Sequence, residues 1–468
     1  MTQPPPAGPD ALPVKPLNSA MAEEATTLQK LSWVLYDWAN SGYGLIVITA
    51  VFAPYFISTL LPVLPELGLS PKGEPLHGLR VLGTAYRGIT IFGFLTSISM
   101  AMMAVGAPVL GAVADIKGWT RRLMALFGTL GALLTMGMIF LTEGRWLLGS
   151  LLFVGSNFCF GTSFAFASAF LPRLTRPEKQ GSLSGWGFAA GYVGGALAMI
   201  LVLLMINAHP EETGRYVRYG LAMSGLWWLV FGLPAYIFLD EMPPQATDAD
   251  RGPLLSAGFR RIGSTFRNLR HYRALFLFLL AFLLYNDGVE TIISMSGAFG
   301  TEQLGMTPQQ IIVMLLIVQF VAFGGAVLFG YLSDIFGNKT IILVNLAVWL
   351  LAATLAFFVR TPGQFTTLGV LVGLVLGGVQ ASSRALMALL SPEHIRNEAF
   401  GFFSISGKFA SIFGPTLFGL FVKWFGEPRF GVLSVLPFLA GGMLVLMKVK
   451  EPRAAAPRDS AARADAAG

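Results

Sequence analysis

The sequence predicts an all-α polytopic membrane protein of twelve transmembrane helices arranged as two six-helix repeats, and three observations carry that prediction. Apolar residues make up 54% of the 468 residues, and mean hydropathy is +0.66. Charged residues make up 12%, against about 25% in a soluble globular chain. Apolar runs able to cross about 30 Å of hydrocarbon, roughly 20 residues each, recur twelve times.

Residues 1–30, rich in Pro and small residues, have no periodicity and predict a disordered tail. No apolar core follows a basic start, so this tail does not read as a cleavable signal. The first run, 31–61, holds Asp37 in apolar surroundings and Pro54, which predicts a kink. The second, 90–114, passes Pro108 and Gly111 and turns through Asp115 and Gly118 into the third, 121–142. The fourth, 146–172, contains Cys159, the single cysteine, which can form no intrachain disulfide. In the fifth, 183–206, Gly187, Gly191 and Gly195 form a small-residue stripe that lets helices approach closely. The sixth, 219–239, completes a six-helix unit over 31–239, and 240–271 is the longest hydrophilic connection. The second unit, 272–448, repeats the plan. Its runs are 273–299 with Asp287 and Glu290, 309–332, 340–359, 364–390 with Arg384, 400–424 with Lys408 and Pro415, and 428–448. The Ala/Arg tail, 449–468, again predicts disorder.

An even helix number puts both termini on one side, and most of the 32 Lys and Arg residues fall in loops of that side. By the positive-inside rule that side is cytoplasmic. The net charge of +7 then reflects orientation and contact with anionic lipid headgroups; it implies no nucleic acid.

A charge near the bilayer centre costs between about 3 and over 10 kcal/mol, so an intramembrane acid needs a cavity or a partner. Asp37, Arg384 and Lys408 fall at one depth, roughly 10 Å from the cytoplasmic face. Asp287 and Glu290, at i and i+3, share a helix face and lie about 20 Å deep. One reading is a static salt-bridge network; the other is a proton-exchanging acid with bases that hold a substrate anion. The repeat bears on the choice, because Arg384 and Lys408 correspond to Phe164 and Phe188, so the fold does not require those charges. Tyr36, Trp38, Tyr43 and Tyr285 flank the acids and are candidates to line a cavity. His77, His209, His271 and His394 fall in loops, which argues against an intramembrane histidine relay.

Gly111, Asp115 and Gly118 recur as Gly330, Asp334 and Gly337 at one constant offset, each set followed by basic residues, Arg121 and Arg122 in the first. This pattern resembles the loop signature of the major facilitator superfamily, and the resemblance implies the major facilitator fold and a gate latch; a plain turn-stabilising Asp is the alternative. Either Asp can accept backbone N–H bonds or pair with Lys117, Arg121 or Lys339. Within the superfamily, YDWANS (36–41), LP with SLSGWGFAAGYVGG (171–172 and 182–195), YNDGVET (285–291), GGVQASSRALMALLSP (377–392) and FGFFSISGKFASIFGP (400–415) are similar to bacterial relatives of the vacuolar amino-acid effluxers. The likeness covers about 31–448. It implies a secondary carrier of amino acids or similar small zwitterions, working by alternating access in a bacterial inner membrane, with proton coupling and no cofactor. Tyr36, Asp37, Asn40, Tyr285, Asn286, Asp287, Glu290, Gln380, Arg384 and Lys408 are the implied substrate and proton residues. Ala167 and Ser168 depart from the aromatic and Asn that the resemblance places before Leu171–Pro172, a difference that bears on specificity if those positions touch solute.

No metalloprotease, hydrolase or metal-cluster motif is present. GFFSISGKF (401–409) only mimics a phosphate loop, with five residues between its glycines and Phe after Lys. A sugar, peptide or drug carrier, or a membrane sensor built on a carrier fold, uses the same features.

Overall fold

A computed structural model of the chain describes residues 25–68, 75–247, 250, 252–267 and 272–452. Among the described residues, twelve spans succeed one another, apart from a helix in the connection between the sixth and seventh. Spans 1 to 6 are Thr27–Ala50 with Phe52–Leu60, Gly88–Lys117, Thr120–Phe140, Trp146–Ala169, Gln180–Asn207 and Thr213–Phe238. Spans 7 to 12 are Arg273–Leu304, Pro308–Phe336, Asn338–Ala356, Pro362–Leu390, Arg396–Phe425 and Pro428–Met447. Among the described residues, ten are single helices long and apolar enough to cross a membrane, and bent span 1 makes an eleventh. Span 11 has the length, 30 residues, and packs on spans 2, 4 and 7.

Local chemistry sets several boundaries. Thr26, Thr307 and Thr361 begin spans 1, 8 and 10 as reciprocal caps with Gln29, Gln310 and Gln364. The first cap makes residues 27–30, expected in the disordered tail, a helical turn. Span 1 bends by 42° between its two parts. There Val51 N–H reaches back five residues to Ile46, and Pro54 has no N–H to offer Ala50. Gly118 (φ 70°) ends span 2, and a Cβ there would lie 2.4 Å from the Met242 carbonyl oxygen.

Within the first half, span 1 packs on spans 5 and 6, and span 3 on 4 and 6; within the second, span 7 packs on 11 and 12, and span 10 on 8 and 9. The halves touch through spans 2 with 11, 4 with 11, 5 with 8 and 5 with 10. Gln29 donates to the Asp240 carboxylate at 2.7 Å, which places the start of span 1 beside the end of span 6. A short antiparallel hairpin, Gly78–Val81 with Thr84–Arg87, joins spans 1 and 2 on the far side.

Two segments differ from their reading as polar connection and tail. Within 240–271, Leu254–Arg267 is an amphipathic helix lying against span 2, with Ala257, Gly258 and Arg261, three and four residues apart along the helix, buried on one face. After span 12, Glu451 is anchored to the start of span 9. Residues 1–24 and 453–468 of the two tails lie outside the described residues.

Candidate solute cavity and gates

A cavity of about 430 Å³ lies between the halves. Span 1 gives it Asp37, Asn40, Ser41 and Thr49, and span 5 gives Phe188 and Tyr192. The second half gives Glu290 from span 7, Gln319 from span 8 and Gln380 from span 10. Phenylalanines 160, 164, 299, 365 and 418 make much of the remaining wall. It runs from Asp37 toward the side away from the termini, reaching Phe365 at the start of span 10.

Asp37, in its wall, pairs with Arg384, which lies behind the lining. Asp37 Oδ2 lies 2.7 Å from Arg384 Nη1, with the residues 4% and 1% exposed. Arg384 also donates to Ser184 Oγ (3.0 Å) and to the Ser184 carbonyl (2.9 Å). Its guanidinium sits 4.2 Å from the Phe188 ring centre and 4.5 Å from that of Trp33. One side chain of span 10 is therefore held by spans 1 and 5 of the other half. Room for it comes from Gly187, where a Cβ would lie 2.3 Å from Asp37 Oδ2 and 2.5 Å from Arg384 Nη2. Beside the pair, Tyr192 donates to Gln380 Oε1 at 2.6 Å, again across the halves.

Other candidates lie elsewhere. Asp287 faces span 11, accepting the Gly414 N–H at 3.2 Å, while Glu290 lines the cavity. Positions i and i+3 diverge by about 60° around a helix, enough here to send one acid to each neighbour rather than both to one face. Asn286 donates to the Gly407 carbonyl (3.1 Å) and Tyr285 pairs with Ser383 Oγ (2.7 Å). Tyr36 is fully buried against Tyr236, Trp38 stacks on Trp227, and Tyr43 meets Ser156 Oγ at 2.9 Å. These rings pack between helices and are not in the cavity wall, contrary to the expectation for the aromatic residues beside the acids. Ala167 and Ser168 are buried, and the Ala167 carbonyl accepts from Trp33; that departure does not touch the cavity. The Lys408 side chain lies outside the described residues.

Toward the termini the halves are sealed. Asp115 Oδ1 accepts from Asn397 N (3.2 Å) and Nδ2 (2.7 Å), and Oδ2 accepts from Glu398 N (3.1 Å). Asp334 accepts from Gly181 N (2.8 Å) and Ser182 N (3.1 Å). Each carboxylate thus caps a helix of the opposite half, where free N–H groups and the helix dipole favour an anion by roughly 0.3–1 kcal/mol. Gly111 and Gly330 let backbones meet, since a Cβ would lie 2.6 Å from Asn397 O and 2.8 Å from Gly181 O. Deeper in, Ser184 Oγ donates to Ala381 O (2.8 Å) and Ser404 Oγ to Gly161 O (3.2 Å), a repeat-related pair.

Lys117, Arg121 and Lys339 are not the latch partners. The backbone N–H groups of Arg121 and Arg122 bond Glu241 (2.8 and 3.0 Å), and Arg122 Nε lies 3.5 Å from it. Asn338 and Lys339 N–H groups bond Glu451 (2.8 and 3.0 Å), while Lys339 Nζ caps the end of span 12. Gly337 (φ 90°) lies beside that glutamate. The available signal for the two glutamates was an acid followed closely by Pro at the end of each half.

A family described as vacuole effluxer Atg22 like matches residues 26–458. An MFS-type transporter, YxiO of Bacillus subtilis, is 33% identical over 430 residues, covering 91% of this chain and 95% of its own. Autophagy-related protein 22-1 of Penicillium rubens is 26% identical, covering 75% and 74%. Among solved structures, the proton:xylose symporter XylE superposes with a TM-score of 0.67 at 15% identity, over 90% of this chain and 94% of that one. An outward-facing bacterial homologue of ferroportin gives 0.63 at 16%, over 90% and 98%.

Proposed function

This chain belongs to the Atg22-like family of major facilitator transporters, and on that premise we propose that it carries amino acids by proton-coupled alternating access. It is a multi-pass membrane protein that moves small solutes. The proposal places it in a bacterial inner membrane with both termini cytoplasmic, supported by the basic loops of that side.

One observation carries the reading: a buried Asp37–Arg384 pair spans the two halves, with Asp37 in the wall of a cavity they share. A solute carboxylate can take the place of Asp37 on Arg384 Nη1 through a charge-assisted N–H bond. Asp37, losing its cation in a dry site, then favours protonation. Solute and proton would move together, and release of the pair would loosen spans 1 and 5 from span 10. Glu290 offers a carboxylate on the same wall for an ammonium group. The relatives' family description as vacuole effluxers supports export of a solute and names none.

A second reading treats the pair as a fixed bolt, and the completeness of Arg384's coordination favours it. A thermal-shift screen of the purified protein against amino acids, sugars and peptides, followed by uptake in proteoliposomes, separates the two. Stabilisation and uptake confined to amino acids are expected; stabilisation by sugars or peptides alone removes the amino-acid assignment.

A further inference from the structure

Arg261 lies in the hydrophilic connection 240–271 and yet is 8% exposed. We propose that Arg261 is a gating residue, a strut by which the linker helix holds the termini side shut and which must let go for that side to open. The proposal rests on alternating access but not on the identity of the solute.

The linker helix is fixed to the first half. A Cβ on Gly258 would lie 3.1 Å from the Val109 carbonyl oxygen of span 2, so its small-residue face lies directly on that span. The stretch before the helix is tied to the same span, with Gln245 N–H donating to the Asp115 carbonyl at 2.7 Å. Arg261 then gathers this segment around its guanidinium. Nη1 donates to Gln245 O (3.2 Å) and to the Asp250 carboxylate (3.2 Å). Asp250 also accepts from Thr247 N (2.7 Å) and Oγ1 (2.8 Å). Nη2 goes the other way, to the His394 carbonyl.

His394 belongs to the second half, in the turn between spans 10 and 11, three residues before the Asn397 that Asp115 caps. The guanidinium therefore joins the linker to the opposite half next to the first latch. The two separate nitrogens of a planar guanidinium face the linker acceptors on one side and the His394 carbonyl on the other, whereas a lysine's three donors radiate from a single nitrogen. Opening the termini side separates Asp115 from Asn397, which carries His394 away from span 2. Arg261, held to span 2 through Gly258 and Gln245, must then leave the His394 carbonyl. Its bonds to Gln245 and Asp250 can survive the movement. That makes the His394 bond specific to one state, whereas an arginine that only folds the linker would keep all its partners.

The test uses the full-length protein in sided vesicles, with Cys159→Ser and a reporter Ser404→Cys, whose native hydroxyl bridges the halves beneath the latch. A membrane-impermeant maleimide is applied from the termini side. Arg261→Gln should speed labelling several-fold, as should the latch variant Asp115→Asn. Arg261→Lys should fall between these and the parent. Asp250→Asn, which disturbs the linker but leaves the His394 bond, should label at the parental rate. Parental labelling in Arg261→Gln while Asp115→Asn accelerates overturns the strut alone. Equal acceleration by Asp250→Asn and Arg261→Gln also overturns it, reducing Arg261 to a linker-folding residue. No acceleration in either Arg261→Gln or Asp115→Asn counts against alternating access and the strut together. Should Arg261→Gln fail to reach the membrane, Arg261→Lys decides, and a parental rate there overturns the proposal.

Discussion

Two seats related by the internal repeat are built alike and used differently. In the first, Asp37 of span 1 lies against Gly187 of span 5; in the second, Asn286 of span 7 lies near Gly407 of span 11. At the first seat the partner is Arg384, reaching in from the opposite half. At the second, the amide bonds the Gly407 carbonyl of its own half, and the position matching Arg384 is Phe164. A glycine-mediated approach between these helices is thus part of the scaffold, while among the described residues the charge that crosses the halves sits at the first seat. A scaffold tolerates small changes at the neutral seat and few at the charged one.

The largest expected difference comes from removing the cation. Arg384→Ala leaves Asp37 buried and unpaired, a loss of about 3–5 kcal/mol, whereas Asn286→Ala removes one neutral hydrogen bond, about 0.5–1.5 kcal/mol. Thermal unfolding in detergent compares the two, and equal shifts would erase the distinction between the seats. Next is Gly187→Ala, whose methyl would enter the ion pair and cost roughly 1–3 kcal/mol through overpacking. At Gly407 a Cβ meets nothing closer than 3.4 Å, so Gly407→Ala should stay within about 0.5 kcal/mol. If Gly407→Ala proves the more damaging, the packing assigned to the two seats is reversed.

Smaller effects belong to the latches. Asp115→Asn and Asp334→Asn each remove a carboxylate charge from a helix start of the opposite half, worth about 0.3–1 kcal/mol, and on the proposed gating role that contact exists only while the termini side is shut. Both should raise thiol accessibility from that side with little loss of folded protein, checked by labelling a reporter cysteine. Normal accessibility would leave both aspartates as turn stabilisers.

Much of the scaffold was legible because its signals are local. Apolar runs mark the spans, and Gly118 and Gly337 mark turns that need positive φ, whereas the Thr-x-x-Gln cap at Thr26 falls inside the stretch read as a disordered tail. Depth along a helix placed Asp37 and Arg384 at one level, and they meet. Depth says nothing about azimuth, which is why Tyr36, Tyr285, Asn286 and Asp287 turned toward neighbouring helices while Tyr192, unremarked in an apolar run, reached the cavity. Long-range capping was equally hidden. Glu241 and Glu451 act on helix starts far along the chain, and Arg261 acts through carbonyls, which carry no sequence signal.

The charged seat's role in transport is tested most directly by Asp37→Asn in proteoliposomes, comparing accumulation of radiolabelled amino acids driven by a pH gradient with their exchange at equal pH. Asp37→Asn should lose gradient-driven accumulation and keep exchange. Accumulation with unchanged dependence on the pH gradient would contradict coupling at Asp37 and leave the pair a fixed bolt between the halves.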